Sequence, residues 1–151
     1  AAAYQEVLQR PAGTAEVDYW AGWLRAGRRS DQLLVALLAS AELRQRAGGT
    51  DGDVAREVGR VALGRDLEAD EHLEVVGLVD RLGAGSAARA VLRWDAAARH
   101  RVTVLYATLL GRVPEEGGLA YWSARLQAGA DPVDLTVAIA ATAEYAARPV
   151  A

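Results

Sequence analysis

The stretch Leu105–Trp122, LYATLLGRVPEEGGLAYW, holds an apolar run, a Gly-Arg stop, a loop of Pro, acidic residues and Gly, and an aromatic pair. The run suits a helix, and glycine just past such a run readily takes the left-handed conformation that ends one. Pro114 marks the boundary, and the carboxylates of Glu115 and Glu116 suit the partial positive charge at the start of the next helix. The stretch therefore reads as helix, turn, helix, with Tyr121 and Trp122 on the second helix.

Much of the stretch occurs twice. Laying Tyr4 on Tyr106 also brings together, without a gap, Leu8 with Leu110, Arg10 with Arg112, and Tyr19-Trp20 with Tyr121-Trp122. Further on, Leu24 meets Leu126, Ala26-Gly27 meets Ala128-Gly129, Leu33 meets Leu135, Glu42 meets Glu144 and Arg46 meets Arg148. Alanine coincidences are cheap in so alanine-rich a chain, but two Tyr-Trp pairs in register are not. A third, worn copy lies between. Leu63-Gly64-Arg65 matches Leu110-Gly111-Arg112, Val75 stands where the outer copies have Trp20 and Trp122, and Gly59 stands in place of Tyr4 and Tyr106.

Each copy follows one grammar. A first apolar helix ends at Gly-Arg or Gln-Arg. A second carries the Tyr-Trp pair and stops at Gly27 or Gly129. A third opens at Ser30-Asp31 or Asp131-Pro132, which suit a cap and a first turn. Strand-like alternation is absent, and the four prolines sit at boundaries. The expectation is an all-α fold of about nine helices, arranged as three repeated three-helix units in one compact domain. The domain spans 1–151, with units near 1–49, 53–100 (degenerate) and 101–151. The chain starts inside a helical pattern without Met and reads as a domain cut from a longer protein, so missing targeting signals are uninformative.

At 151 residues, 52% hydrophobic and 25% charged, the chain has globular composition. Cys, Met, Phe, Lys and Asn are absent and every cation is Arg, a skew that a GC-rich genome explains. Without Cys there are no disulfides, thiolate metal sites or Cys nucleophiles. The net charge of −3, with Arg scattered among carboxylates, argues against a nucleic-acid partner. No apolar run approaches the roughly 20 residues of a membrane helix.

The phrase Leu109-Leu110-Gly111-Arg112-x-Pro114-x-x-x-Gly118-Leu119-x-Tyr121-Trp122, then Leu126, Gly129, Leu135 and a closing Thr142-x-Glu144, resembles the DUF4214 family. The closing motif of that family is usually Ser-x-Glu, as in Ser40-Ala41-Glu42. The likeness is tight in the third copy, good in the first and loose in the second. The first copy departs by Gln9 for Gly and a shifted Pro11, which leaves its loop geometry open. The family also resembles the linker domains of phycobilisomes. The resemblance implies a helical module of large secreted or cell-surface bacterial proteins, and no catalytic residues come with it.

Candidate residues divide into structural and binding ones. Trp20 and Trp122 are expected to pin the second helix into the core, since Val75 keeps that place apolar. Arg10, Arg65 and Arg112 each close a first helix, where a cation complements the carbonyl end. Pairing with Glu42 or Glu144 would tie the loop to the helix behind it. Trp23 corresponds to Arg125, so its position is expected to be half exposed. Trp94 stands where the outer copies have Ser40 and Thr142. Trp23 and Trp94, with Tyr19 and Tyr121, are the candidate binding residues.

Asp66-Leu67-Glu68-Ala69-Asp70-Glu71 lacks the Gly and terminal Glu of a calcium loop, and His72 and His100 share no metal-ligand spacing. Gly83-Ala84-Gly85 lacks the third glycine and preceding strand of a dinucleotide loop. No cofactor, metal or catalytic residue is expected. The preferred reading is a non-catalytic protein-interaction or scaffold module using grooves between repeats. Its rivals are a carbohydrate-binding module built on the Tyr-Trp pairs and, more remotely, a hydrolase around His72 or His100. The expected partner is thus a protein or a cell-surface glycan.

Overall fold

Side chains at the helix ends explain where the elements start and stop. Thr50 Oγ1 accepts the backbone N–H of Asp53 at 3.1 Å, and Asp53 Oδ2 accepts that of Thr50 at 3.1 Å, a reciprocal cap for the helix that follows. That helix ends at Gly64, and its repeat counterpart ends at Gly111, both in left-handed conformation. A computed structural model describes residues 2–147. Its elements are α1 (Ala2–Leu8), α2 (Thr14–Arg25), α3 (Asp31–Leu38), α4 (Ala41–Ala47), α5 (Asp51–Leu63), α6 (Ala69–Leu82), α7 (Ala84–Val91), α8 (Asp95–Leu110), α9 (Glu116–Gln127), α10 (Pro132–Ala140) and α11 (Ala143–Ala146). Among the described residues there is no strand. Arg148, the expected counterpart of Arg46, lies outside them.

The described helices number eleven rather than nine because a hydroxyl splits the third helix of each outer repeat. Ser40 Oγ accepts the N–H of Leu43 at 3.1 Å, and Thr142 Oγ1 accepts that of Tyr145 at 3.2 Å. Each starts a short fourth helix, α4 or α11. In the middle repeat the fourth helix begins after Trp94 and runs on without a break into the first helix of the third repeat, giving the 16-residue α8.

Packing groups the helices into two compact units, residues 1–91 and 92–151. In the first, α5 is central and touches α1, α3, α4, α6 and α7. It buries Val54, Ala55, Val58, Gly59, Val61, Ala62 and Leu63, and the helices around it bury Val7 and Leu8 (α1), Leu38 (α3), Leu43 (α4) and Val75 (α6). Two arginines stitch the first repeat to the second. Arg46 Nη2 donates to the Val7 carbonyl at 3.0 Å and to Glu57 at 2.7 Å, and Arg60 Nη2 donates to the Glu6 carbonyl at 2.9 Å. By contrast, α2 has no buried residue.

In the second unit α8 packs on α9, α10 and α11. Ala98, Val102 and Tyr106 of α8 form one cluster with Leu126 of α9 and Leu135 and Ile139 of α10, and Leu119 and Trp122 pack against it. Among the described residues, no helix is long and apolar enough to cross a membrane.

Candidate functional site

The arginines that close the first helices are held by carboxylates. Arg10 makes five hydrogen bonds, two to Glu42, two to Glu16 and one to the Pro11 carbonyl. These use every N–H direction of a guanidinium. Arg112 binds Glu144, with Nη2 donating at 2.8 Å, and also Glu115 and the Val113 carbonyl. The pairings of Arg10 with Glu42 and Arg112 with Glu144 are the ones their sequence positions suggest. They tie the loop to the fourth helix rather than the third. The middle copy lacks this tie. Ala96 stands two residues after the N-cap Trp94, as Glu42 does after Ser40, so Arg65 is held by Glu71 and the Asp66 carbonyl.

One carboxylate of the clasp changes its place in the backbone. Glu16 and Glu71 share a repeat position three residues into the second helix, where each also accepts the N-cap N–H, at 2.7 and 2.8 Å. The third copy has Gly118 there. Glu115, the N-cap residue, supplies the carboxylate instead. A Cβ on Gly118 would stand 2.6 Å from Glu115 Oε1 and 3.1 Å from the Tyr106 hydroxyl, so glycine is what admits both groups. The hydrogen bonds from Arg10, then from the Gly13 backbone, hold the Glu16 carboxyl down at about 2. Arg65 and the Glu68 N–H do the same for Glu71. The Arg10 and Arg112 guanidiniums lie over the rings of Tyr4 and Tyr106 at 5.2 and 5.3 Å. With their donors committed in this way, these arginines act as clasps, and nothing in their geometry makes an anion site.

The aromatic residues build the groove. Trp20 is half-buried and donates Nε1–H to the Tyr4 hydroxyl at 3.0 Å. Tyr19, Trp20 and Trp23 form a mutually packed trio on α2, with ring centroids 5.1, 5.7 and 6.0 Å apart. The trio walls an open groove of about 320 Å3, which Val35 and Ala36 of α3 and Gly85 and Arg89 of α7 complete. Small residues bring α7 to α3, since a Cβ on Gly85 would lie 3.4 Å from that of Ala39. Tyr19 is exposed. Trp23 is half-buried, as its exchange with Arg125 suggests, and its Nε1–H has no acceptor. Arg28 lies over the Trp23 ring at 4.2 Å.

In the second unit Tyr121 is exposed and meets half-buried Trp122 edge to face at 5.0 Å. Arg125 reaches over both rings, at 5.6 and 5.7 Å. Trp94 is half-buried at the start of α8 and makes no side-chain cap bond. The structure thus brings Tyr19 and Trp23 into one groove. Sequence reasoning missed Gln32, Gly85 and Arg89 on the groove and Arg28 over Trp23. The repeat does not mark them: Arg28 and Gln32 align with Ala130 and Asp134 in the third copy, and Gly85 and Arg89 reach the groove through the packing of α7 on α3.

His72 lines a second open groove with Arg56, Asp66 and Leu67. The acidic run before it forms the cap and first turn of α6, with Glu68 as N-cap and Asp70 and Glu71 behind it. Among the described residues, no group of three or more His, Cys, Asp or Glu is placed to hold a metal ion.

The chain matches the sequence profile of the family described as domain of unknown function (DUF4214) over residues 1–47 and 87–148, and it belongs to that family. The unmatched stretch, 48–86, holds α5 and α6, the worn middle of the repeat. No curated protein and no solved structure matches the chain.

Proposed function

We propose that the chain is a non-catalytic protein-interaction module of a secreted or cell-surface bacterial protein, and that the Tyr19–Trp20–Trp23 groove is its binding surface. The observation that carries this reading is the groove itself. The aromatic trio faces apolar residues of α3 and a guanidinium on α7. Binding hot spots concentrate Trp, Tyr and Arg in such settings.

The carbohydrate reading needs a ring with an open face. Arg28 covers one face of Trp23, and Arg125 lies over Tyr121 and Trp122, which favours edge contacts with a polypeptide. The enzyme reading has the weaker support, resting on His72 or His100 alone.

The test couples the full chain as bait for cell-surface proteins, with a glycan array in parallel. The expected result is a specific protein whose affinity falls about tenfold or more for Trp23→Ala, in a variant whose far-ultraviolet dichroism is unchanged. A glycan that binds and is lost with Trp23→Ala or Tyr19→Ala would replace this reading with the carbohydrate one. Hydrolysis abolished by His72→Ala or His100→Ala would replace it with the enzyme.

A further inference from the structure

The aromatic groove between α2, α3 and α7 has a local charge opposite in sign to that of the chain. The net charge is −3, and arginines elsewhere in the same unit sit beside carboxylates. Arg10, Arg44, Arg46, Arg60 and Arg65 are each held by one. Arg89, on the α7 wall of the groove, has no ion pair among the described residues, and no Asp or Glu is among the described residues that line the groove. Arg28, at the Trp23 end, meets the indole ring rather than a carboxylate. Helix packing does not call for a cation on α7 either. Counting back five positions from Trp94, Ser40 and Thr142, Arg89 stands where the outer copies have Val35 and Val137. Two residues further on in each copy, Val91, Leu37 and Ile139 are all buried, which fixes the register. The exchange of valine for arginine therefore falls at the groove itself.

We propose that the groove takes an acidic segment of a partner protein, with a carboxylate on Arg89 and a neighbouring apolar side chain laid against Tyr19 and Trp20. This rests on the reading of the groove as a protein-binding surface and adds the chemistry of what fills it. A guanidinium offers a carboxylate two parallel hydrogen bonds, and Arg89 gives up no carboxylate of its own to make them. An exposed ion pair alone adds little affinity. The aromatic rings and the apolar floor of Val35 and Ala36 therefore supply most of it, and Arg89 selects among apolar segments those that carry an acid. Because the chain as a whole is anionic, an acidic segment is not drawn in from a distance. The selection is made at contact. Nucleic acid is the other polyanion that a cationic, aromatic groove could meet. Its bases need open ring faces to stack on, and Arg28 lies over the Trp23 ring at 4.2 Å, which favours the acidic polypeptide.

The probe is a library of short random peptides displayed on phage, selected on the full chain and, separately, on its Arg89→Glu and Arg81→Glu variants. Arg81 is exposed on α6, outside the groove, and serves as the control. Peptides enriched on the full chain are expected to carry Asp or Glu beside an apolar residue and to be enriched equally on Arg81→Glu. On Arg89→Glu they give way to peptides carrying Lys or Arg. In fluorescence anisotropy the strongest acidic peptide binds the full chain saturably, and about tenfold or more weakly to Arg89→Glu or to Tyr19→Ala, both changes at exposed side chains. Its affinity falls with added salt. Peptides that need Tyr19 or Trp23 but show no acidic bias, or that bind Arg89→Glu as tightly as the full chain, overturn the proposal and leave the groove as a protein-binding surface. A selection that yields no peptide sensitive to Tyr19→Ala or Trp23→Ala overturns both readings. An oligothymidylate that binds saturably and displaces the peptide overturns the proposal in favour of nucleic acid.

Discussion

Gln9 is the sole non-glycine residue with positive φ among those described, at 55°, and the same repeat position holds Gly64 and Gly111 at 68° and 70°. The first copy therefore keeps the loop of the others without the residue that suits it. Left-handed backbone costs an L residue roughly 1–2 kcal/mol, and glycine gives back about half of that as extra entropy lost on folding. Gln9→Gly is expected to stabilise the protein by about 0.5–1 kcal/mol, read as a higher urea midpoint; an unchanged or lower midpoint would show that the Gln9 side chain contributes something its exposure hides. Gly59 carries the reverse lesson. Sequence comparison shows only that an aromatic ring is missing there, whereas the structure shows its replacement. Leu67 lies so close that a Cβ on Gly59 would stand 2.3 Å from Leu67 Cγ. A loop residue that refills a lost side chain's space leaves no periodic mark, so this compensation was not legible.

At the scale of the element, the clasps were the most legible part of the site. Both pairs are 32 residues apart, an agreement that two copies make visible and one copy would not. The helix break at Ser40 and Thr142 was not legible, because a hydroxyl inside an apolar helical pattern fits a mid-helix position or an N-cap equally well. Nor was the move of a carboxylate from the position of Glu16 and Glu71 to Glu115, which needs the geometry of Gly118 to be seen. The clasps set an acid response. Glu16 and Glu71 titrate at about 2 in the folded protein against an ordinary 4.5. Because the folded value is the lower one, their contribution to stability is complete above about pH 4.5 and is lost as the pH falls toward 2. The melting temperature should therefore decline through that window, and more gently in a Glu16→Gln, Glu71→Gln double variant. Equal slopes for the two proteins would mean that the guanidiniums do not hold these carboxylates in solution.

Across the whole molecule, helical periodicity and the repeat made the all-α fold and its copies readable, but not how firmly each copy is seated. The sequences of α2 and α9 share Tyr-Trp and a leucine four residues on. Yet α9 buries Ser123 and Leu126, while α2 buries nothing. The shared motif therefore does not by itself set how much of a second helix is buried. Burial of this kind governs local opening, because a helix with few buried contacts detaches at little cost while a central one opens only with the unit around it. Amide hydrogen exchange on the intact chain should rank the helices accordingly. Within residues 1–91, α5, with seven buried residues and five neighbouring helices, is expected to exchange slowest, and α2 faster by about two orders of magnitude or more, the ratio that roughly 3 kcal/mol of extra opening free energy gives. Slow exchange in α2 without any ligand would mean that its exposed flank is not the loosely held surface that its burial describes.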